Sequence, residues 1–380
     1  MRRVLILGGG FGGIAAAHRL RQKLSPGDEI ILVDRRAHFM VGFRKTWALV
    51  GESPLEAGQR PLAALARHGI QVIQGTISAI DPAARAAEVD GRRIEADALI
   101  VALGAELAPE QVTGFSSHAL NVYDPQEIPR IAAALREFRG RRVVVGIFGA
   151  PYKCPPAPYE MALLVKDAFR ARGVDAALEV FTPQPMSLPI LGQAGCNVVE
   201  GRLSENGITF LPNRKATAVE AGEIVFANER RAYDLLLGVP PHRCPAPVAQ
   251  SGLTNGGAWV RPNPRTLETK FPGVYAVGDS VEILTADGKP LPKAGVFAEA
   301  MGEVAAERIA ATFGGREPEA TFTGEGGCYL EIGGGQAMMV QGAFLAEPAP
   351  QVTLTEPSRH YVEEKRSFEA TRLQKWFSGI

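Results

Sequence analysis

The sequence predicts an α/β fold in which parallel strands are covered by helices. Three observations support this prediction. A short apolar strand at residues 4–7 runs into a glycine-rich turn and an alanine-rich helix. A second apolar strand at residues 30–33 ends in the acidic residue Asp34. A basic turn, a valine-rich strand and another glycine-bearing turn begin a second cycle at residue 141. We therefore expect two Rossmann-like domains, each with three layers (ββα), the second inserted in the first.

Composition narrows the classes of function. The chain has 380 residues, of which 46% are hydrophobic and 22% charged, as is ordinary for a soluble globular protein. Its 41 basic and 41 acidic residues balance, and because it has no basic tract we expect no nucleic-acid partner. No apolar run is long enough to span a membrane, and Met1 leads almost directly into the first strand. We expect a cytoplasmic protein.

The first glycine turn has the spacing G-x-G-x-x-G, formed by Gly8, Gly10 and Gly13. In this pattern the first glycine makes a tight turn, the second lets backbone approach a pyrophosphate, and the third lets helix and strand pack closely. Asp34 follows Gly13 by 21 residues and is placed to bond a ribose hydroxyl. A purely structural turn is the alternative, but the context favours a dinucleotide that contains ADP.

Two later strands and a helix belong to the same pattern. The apolar strand at residues 98–103 stops at Gly104, and a strand from about residue 274 ends in Gly278 and Asp279. The carboxyl ends of such strands face the ligand in a parallel sheet. A hairpin with an Asp-Gly turn is predicted at residues 86–94, and a strand at 71–77. A helix that starts near Pro292 and runs to about residue 313 can stabilise negative charge at its N-terminus.

The second cycle departs from the first at its glycine turn. Pro151, Pro155 and Pro156 have no backbone N–H, so they cannot cradle phosphates. Between them lies Cys154, which is therefore held by prolines at the start of a helix predicted over residues 159–172. This turn predicts a nucleotide-type domain whose phosphate loop has been replaced by a cysteine.

These features divide the chain into three parts. A discontinuous first domain takes residues 1–108 and 233–318, and the inserted second domain takes residues 109–232. A C-terminal segment, 319–380, contains Cys328, a run of three glycines and a helix predicted over residues 361–377. The four cysteines show neither C-x-x-C nor a zinc-type spacing with histidine, so we expect no metal site.

The glycine turn, Asp34, the strand ending at Gly104, the Gly278-Asp279 pair and the sequence Pro-Lys-Ala-Gly at 292–295 together resemble the flavoproteins with two dinucleotide-binding domains. The resemblance implies FAD, with Asp279 bonding the ribityl chain and the helix after Pro292 pointing at the flavin. Lys293 would add positive charge there, although a surface lysine is the alternative. The residues expected to contact FAD are Gly8, Gly10, Phe11, Gly12, Gly13, Asp34, Arg35, Ile77, Ala102, Gly104, Gly278, Asp279, Lys293 and Ala294.

Within that superfamily, three stretches resemble the sulfide:quinone oxidoreductases and the flavoprotein subunit of flavocytochrome c sulfide dehydrogenase. They are residues 152–160, residues 240–243 and the surroundings of Cys328. The resemblance implies a Cys154/Cys328 disulfide that sulfide attacks, giving a persulfide, with two electrons passing through FAD to a quinone. Glu160 would shuttle protons, or would simply be a charge at a helix N-terminus.

The sequence also departs from these families. Many relatives carry a third cysteine upstream, but Cys154 is the first cysteine of this chain. Residues 38–43 contain no cysteine, so we expect FAD without a cysteine thioether. The usual pair of C-terminal membrane-binding helices is reduced to one. That helix could lie on the inner face of the cell membrane beside a quinone, or it could pack in the core. A homodimer is compatible with the resemblance.

Three other functions remain open at this stage. A sulfide dehydrogenase would reduce a cytochrome, an NADH:quinone oxidoreductase would need the missing second glycine turn, and a flavin redox sensor would not turn over. Cys196 and Cys244 are expected to be structural core residues. His242 could act as a base or could merely bond the backbone.

Overall fold

The computed structural model of the protein describes residues 1–378. The first third of the chain contains two helices and ten strands: β1 (Arg3–Leu7), α1 (Phe11–Lys23), β2 (Glu29–Asp34), β3 (His38–Phe39), α2 (Arg44–Leu49), β4 (Arg60–Pro61), β5 (Gln71–Gln74), β6 (Ile77–Asp81), β7 (Ala86–Val89), β8 (Arg92–Glu95), β9 (Ala98–Val101) and β10 (Glu106–Leu107). The middle third contains α3 (Phe115–His118), β11 (Leu120–Asn121), α4 (Ile128–Glu137), β12 (Arg142–Ile147), α5 (Ala157–Ala171), β13 (Ala177–Phe181), α6 (Gly192–Glu205), β14 (Ile208–Leu211), β15 (Ala216–Glu220), β16 (Glu223–Phe226), β17 (Arg230–Ala232), β18 (Leu235–Val239), β19 (His242–Arg243) and α7 (Ala246–Gln250).

The last third begins with a strand of the first sheet and ends in a helix. Its elements are β20 (Val274–Ala276), α8 (Gly295–Phe313), β21 (Glu325–Gly333), β22 (Gln336–Ala343), β23 (Gln351–Leu354) and α9 (Arg359–Phe377). Short 3-10 helices lie at Leu55–Gly58, Leu62–His68, Pro109–Gln111, Pro189–Leu191 and Gly278–Ser280.

The first domain is built on a parallel sheet with strand order β20-β9-β1-β2-β5. Helices α1 and α8 pack against each other so closely that a side-chain carbon at Gly302 would overlap the carbonyl group of Gly12. The antiparallel sheet β6-β7-β8 shares the same hydrophobic core. These are the three layers expected of a Rossmann-like domain.

Two local predictions in this domain have different outcomes. The hairpin is confirmed, since Asp90 and Gly91 both have positive φ (47° and 77°), as a type I′ turn requires. The single strand expected at residues 71–77 is instead two strands. The chain leaves the parallel sheet after Gln74, and β6 begins the antiparallel layer at Ile77.

The second domain repeats the architecture with the parallel order β11-β18-β12-β13-β14 and the antiparallel sheet β15-β16-β17. One boundary is corrected here. We expected residue 233 to begin the return to the first sheet, but β18 pairs with β12 and with β11 in the second sheet. The chain crosses back after Val239, where the short pair β10 and β19 links the two domains. An apolar strand fits the interior of either sheet, so its composition does not show where it belongs.

The C-terminal segment forms the antiparallel sheet β21-β22-β23 and the helix α9, which covers the first domain. Ser358 caps α9, and its side chain accepts a hydrogen bond from the backbone of His360. Trp376 is fully buried, with its ring edge-on to Phe11 (5.6 Å between centroids) and Phe39 (5.5 Å). Leu373 is buried with it. Phe377 is buried as well, so the apolar end of α9 lies in the core of the chain. No helix within residues 1–378 is both long and apolar enough to cross a membrane.

Candidate active site

In the glycine turn before α1, neighbouring backbone leaves no room for a side chain at Gly8 or Gly13, whereas Gly10 faces open space. A side chain at Gly8 would overlap the carbonyl oxygen of Ala102, and one at Gly13 would overlap the carbonyl oxygen of Gly8. Gly10 faces open space, with no atom within 4 Å of an added side-chain carbon. Gly10 is also the N-cap of α1 and offers no side chain to its first N–H groups. Those N–H groups have no partner within the helix, so the turn fits a pyrophosphate.

Asp34 lies buried at the end of β2 beside this turn. Its carboxylate accepts hydrogen bonds from the Gly9 N–H (2.7 Å) and from the Arg36 guanidinium (2.7 and 3.0 Å). Burial alone would raise the pKa of Asp34, but the bonds to Arg36 outweigh it and lower the pKa. The sequence pointed to Arg35 as the cofactor contact. Arg35 is exposed, and Arg36 is the arginine that contacts Asp34.

Lys293 and Asp279 form the opposite side of the expected flavin site. Lys293 is buried, and its ammonium donates to the backbone oxygens of Asp279 (2.7 Å) and Val281 (2.9 Å). The ammonium also lies 3.6 Å from the ring centroid of Trp259, a cation–π contact. Burial lowers the pKa of Lys293 to about 8. Lys293 is therefore no surface lysine.

The Asp279 carboxylate accepts no hydrogen bond from any group within residues 1–378, and burial raises its pKa. It is available to a hydroxyl group of a ligand. The same cavity is lined by Gly278, Pro292 and Ala294, the last being the N-cap of α8, which likewise has no side-chain cap. Together with the pyrophosphate turn, these groups fit FAD.

Three further expected contacts belong to the first domain. Gly104, just after β9, has φ of 70°, and Ala102 closes the turn over Gly8. Ile77 begins β6 and is buried in the core of the first domain. Contact of all these residues with FAD remains a prediction.

Cys154 is held by its backbone in an uncommon conformation. Its φ is +52°, in the left-handed region, which costs a residue with a side chain roughly 1–2 kcal/mol. Three hydrogen bonds hold it there: the Cys154 N–H donates to Lys293 O (2.7 Å), and the Cys154 carbonyl accepts from the Ala157 N–H (3.0 Å) and the Tyr123 hydroxyl (3.2 Å). Cys154 is thus joined directly to a residue that lines the flavin cavity.

Cys328, on β21, is brought to Cys154 by the fold. Both are free, half-buried thiols, and they lie close enough for each to shift the pKa of the other. The Cys328 thiol also points to the neighbouring carbonyl oxygen of Tyr329 (3.8 Å). The interaction of the two cysteines lowers the pKa of Cys154 and, together with burial, raises the pKa of Cys328 well above its usual range.

A buried charge cluster adjoins the cysteines. Lys365 of α9 donates to Glu160 of α5 (2.8 Å) and to Glu331 of β21 (2.7 Å), and all three side chains are almost fully buried. The Glu331 N–H donates to the second oxygen of Glu160 (3.0 Å), and Trp47 donates to Glu331 (2.6 Å). Glu160 is therefore more than a charge at a helix N-terminus.

Charges within this cluster shift one another's pKa. Burial raises the pKa of Glu160, and Lys365 only partly offsets that rise. Burial would lower the pKa of Lys365, but the two carboxylates outweigh it and raise the pKa. One ammonium between two carboxylates leaves one negative charge in excess, so the cluster is suited to accept a proton.

Comparison with known proteins decides the family. The family model for pyridine nucleotide-disulphide oxidoreductases matches residues 2–302. The chain belongs to this family. Membership makes it a flavoprotein oxidoreductase with a flavin cofactor, as the cavity around Asp279 had indicated.

Among individual members of the pyridine nucleotide-disulphide oxidoreductases, the chain is similar to sulfide oxidisers. The mitochondrial sulfide:quinone oxidoreductase of Mus musculus is 22% identical over 91% of this chain and 79% of that protein. The sulfide-quinone reductase of Aquifex aeolicus is 25% identical over 81% of this chain and 76% of that protein. The solved structure of the sulfide:quinone oxidoreductase from Aquifex aeolicus superposes with a TM-score of 0.90 at 24% identity, covering 100% of this chain and 92% of that one. The fold is shared throughout.

Members with other electron donors also match. The type II NADH:quinone oxidoreductase of Staphylococcus aureus is 23% identical over 84% of each chain. Similarity to named relatives therefore leaves the electron donor to be argued from the site.

The remaining sequence candidates behave as structural residues. The Cys196 thiol is buried and donates to Leu188 O (3.1 Å). Burial raises the pKa of Cys244 to about 11. His242 bonds the Pro240 carbonyl through Nδ1 (2.9 Å), and burial lowers its pKa to about 3, so it stays neutral.

Three residues beside the cysteines could not be recognised from the sequence: Lys365, Glu331 and Lys45. Lys365 lies among charged residues of α9, a local pattern typical of a solvent-exposed face. Its partner Glu160 is 205 residues away, so no short-range signal marks the pair.

Proposed function

We propose that the protein is an FAD-dependent sulfide:quinone oxidoreductase that works through Cys154 and Cys328. The observation that carries the proposal is the pairing of these two thiols beside the flavin cavity, with the Cys154 backbone bonded to Lys293. A family member that oxidises a thiol substrate needs a redox-active cysteine pair within reach of its flavin.

In the oxidised state the two cysteines form a disulfide. Hydrosulfide attacks the Cys328 sulfur and breaks the S–S bond, and Cys154 leaves as a thiolate that the positive charges of Lys365 and Lys45 stabilise. Cys328 then carries the persulfide and Cys154 is a thiolate. A second hydrosulfide, or a thiol, takes the outer sulfur and leaves Cys328 reduced.

The cysteine pair is then reoxidised to the disulfide and gives up two electrons and its protons. Bound FAD supplies the chemistry that accepts these two electrons and passes them to the quinone. For two hydrosulfide ions the balance is one hydrogen disulfide ion and one quinol, with one proton taken up. The Glu160–Lys365–Glu331 cluster, which lies between α5 and the C-terminal segment, takes up and relays the protons.

An NADH donor is disfavoured by the start of α5, the helix that would face a nucleotide in the second domain. The Ala157 N–H donates to Cys154 O, Pro158 has no N–H, and the N–H groups of Tyr159 and Glu160 both donate to Pro156 O. No N–H of this first turn is left for a phosphate, in contrast to α1. This difference supports sulfide as the donor.

The test is steady-state quinone reduction by the purified holoenzyme. Decylubiquinone is supplied as acceptor, and sulfide and NADH are compared as donors in parallel assays. We expect sulfide to support reduction and NADH to give no more than background. Reduction by NADH alone would refute the proposal. Sulfide-dependent reduction of a c-type cytochrome without any quinone would favour the cytochrome-linked alternative.

A further inference from the structure

Helix α2 directs neighbouring side chains to different parts of the site. Arg44 pairs with Glu369 on α9, and Trp47 donates to Glu331. Lys45, between them in sequence, lies over Tyr123 instead, with 6.0 Å from its ammonium nitrogen to the ring centroid. Lys45 therefore belongs to the cysteine side of the site rather than to the buried charge cluster.

Tyr123 lies between that ammonium and the backbone of Cys154. Its hydroxyl donates to the carbonyl oxygen of Cys154 (3.2 Å), and its ring meets His242 edge-on at 5.6 Å. Together with Cys328 and Lys365, the Lys45 charge lowers the pKa of Cys154, and Cys154 in turn limits the lowering of the pKa of Lys45. Lys45 thus approaches the reactive cysteine from the side of Tyr123.

The Lys45 ammonium has no hydrogen-bond acceptor and no ion pair within residues 1–378, although it is only partly exposed. The other three lysines near Cys154 are already engaged, Lys365 by Glu160 and Glu331. Lys153 donates to Ala105 O (3.2 Å), and Lys293 donates to two backbone oxygens. His242 is neutral. An ammonium with three donors and no acceptor in this part of the chain is suited to bind a small anion.

We propose that Lys45 binds the substrate as an anion, holding a hydrosulfide ion beside the Cys154–Cys328 pair. The identity of that anion rests on the proposed function, whereas the presence of an anion site does not. Lys45 contributes an electrostatic attraction that places the nucleophile at the disulfide and would equally favour other small monoanions over neutral molecules.

The charge on Lys45 has a pH limit. Burial and the nearby Lys153 lower its pKa to about 8, against the opposing effects of Cys154 and Asp124, with Arg36 also repelling it. Lys45 is therefore mostly charged at neutral pH and loses its charge as the pH rises through about 8. Anion attraction should decline over that interval.

Two alkylating agents of similar size test the proposal without using sulfide. Reduced holoenzyme is freed of reductant anaerobically and treated at pH 7 with iodoacetate, an anion, or with iodoacetamide, which is neutral. Mass spectrometry of the peptide that contains Cys154 gives the two rate constants. Their ratio, anion over neutral, reports the local charge and cancels differences in thiolate fraction.

In Lys45→Met we expect this ratio to fall severalfold at low ionic strength, because the unit charge that favours the anion over the neutral reagent has been removed. Lys45→Arg keeps the charge and should keep the ratio. Lys215→Met, which removes an exposed lysine of the second domain, is the matched control and should change nothing. In the unsubstituted protein the ratio should fall between pH 7 and pH 9 and in high salt.

An unchanged ratio in Lys45→Met, with FAD content preserved, would overturn the proposal, as would an equal fall in Lys215→Met. Failure of sulfide to reduce the flavin of the unsubstituted protein would refute the proposed function and not the anion site. If sulfide does reduce the flavin, Lys45→Met should raise the sulfide concentration for half-maximal reduction severalfold and leave the quinone KM unchanged.

Discussion

Lys365 and Glu160 form an ion pair that is closed to solvent, with 2.8 Å between Nζ and Oε1. The pair joins the last helix of the chain to the helix that follows the proline-held cysteine. It anchors the C-terminal segment, and with it Cys328, over the second domain. The position of the second cysteine thus depends on buried charges as well as on apolar packing.

Removing the ammonium of Lys365 should be costly. Lys365→Met leaves Glu160 and Glu331 buried without their shared cation, which should lower the free energy of unfolding by about 3–5 kcal/mol. Lys375→Met is the control on the same helix. The half-exposed Lys375 ammonium lies 3.5 Å from Glu303 and 3.9 Å from Glu299, which keeps its closer partner Arg372, so about 0.5 kcal/mol or less is expected. Urea denaturation measures both. Equal losses in the two variants would contradict this assignment.

The glycine turn gives a pair of contrasting variants. Gly13→Ala should prevent folding, because its side chain would overlap the Gly8 carbonyl. Gly10→Ala should leave the fold intact, since that position faces open space, but the methyl group would occupy the place expected for the pyrophosphate. We expect a dissociation constant for FAD at least tenfold higher with unchanged circular dichroism. Normal FAD binding in Gly10→Ala would contradict the placement of the cofactor.

The two site cysteines should differ in reactivity with pH. Thiolates are the reactive form, so Cys154, with its lowered pKa, should be alkylated by iodoacetamide at a lower pH than Cys328. Replacing Cys328 by Ala removes the group that most lowers the pKa of Cys154 and should shift the alkylation profile of Cys154 to higher pH. The profiles are measured by mass spectrometry of the two peptides. Earlier reaction of Cys328 would reverse the assigned roles.

The lowered pKa of His18 predicts that the protein loses stability in acid. The His18 side chain bonds the Trp376 carbonyl of α9 (3.1 Å), and burial, with His68 and Lys375 nearby, lowers its pKa from 6.5 to about 4. A lowered pKa means that the unfolded chain binds the proton more readily. Stability present above pH 6.5 is therefore lost as the pH falls toward 4. In urea titrations, the free energy of unfolding should fall by about 2 kcal/mol less between pH 6.5 and pH 4 in His18→Asn than in the unsubstituted protein. An equal fall in the two proteins would contradict this role of His18.

Features that depend on residues close together in the sequence could be predicted, and features that depend on contacts between distant residues could not. The glycine turn, α8 and the hairpin at residues 90–91 follow from local spacing, and the structure has them where expected. The sheet to which β18 belongs could not be predicted, because a buried parallel strand has the same composition in either domain. The contact of Arg36 with Asp34 could not be predicted, because the backbone direction just after β2 is set by the fold.

The residues of the site also differ in whether their neighbours in the sequence mark them. Cys154 was distinctive in sequence because prolines surround it, and Glu160 because it follows in the same stretch. Its partner Lys365 gave no signal, since an ammonium is buried only when distant carboxylates converge on it. The pairing of Cys154 with Cys328 came from resemblance to a family, and the fold then brought the two residues together.

The most direct measurement is an anaerobic titration of the oxidised holoenzyme with sulfide, followed by flavin absorbance. We predict that sulfide bleaches the flavin of the unsubstituted protein and that decylubiquinone restores the absorbance. Cys154→Ser and Cys328→Ser should bind FAD normally and remain unbleached, while Cys196→Ser should behave as the unsubstituted protein does. Bleaching that persists in both Cys154→Ser and Cys328→Ser, or no bleaching of the unsubstituted protein, would contradict the account.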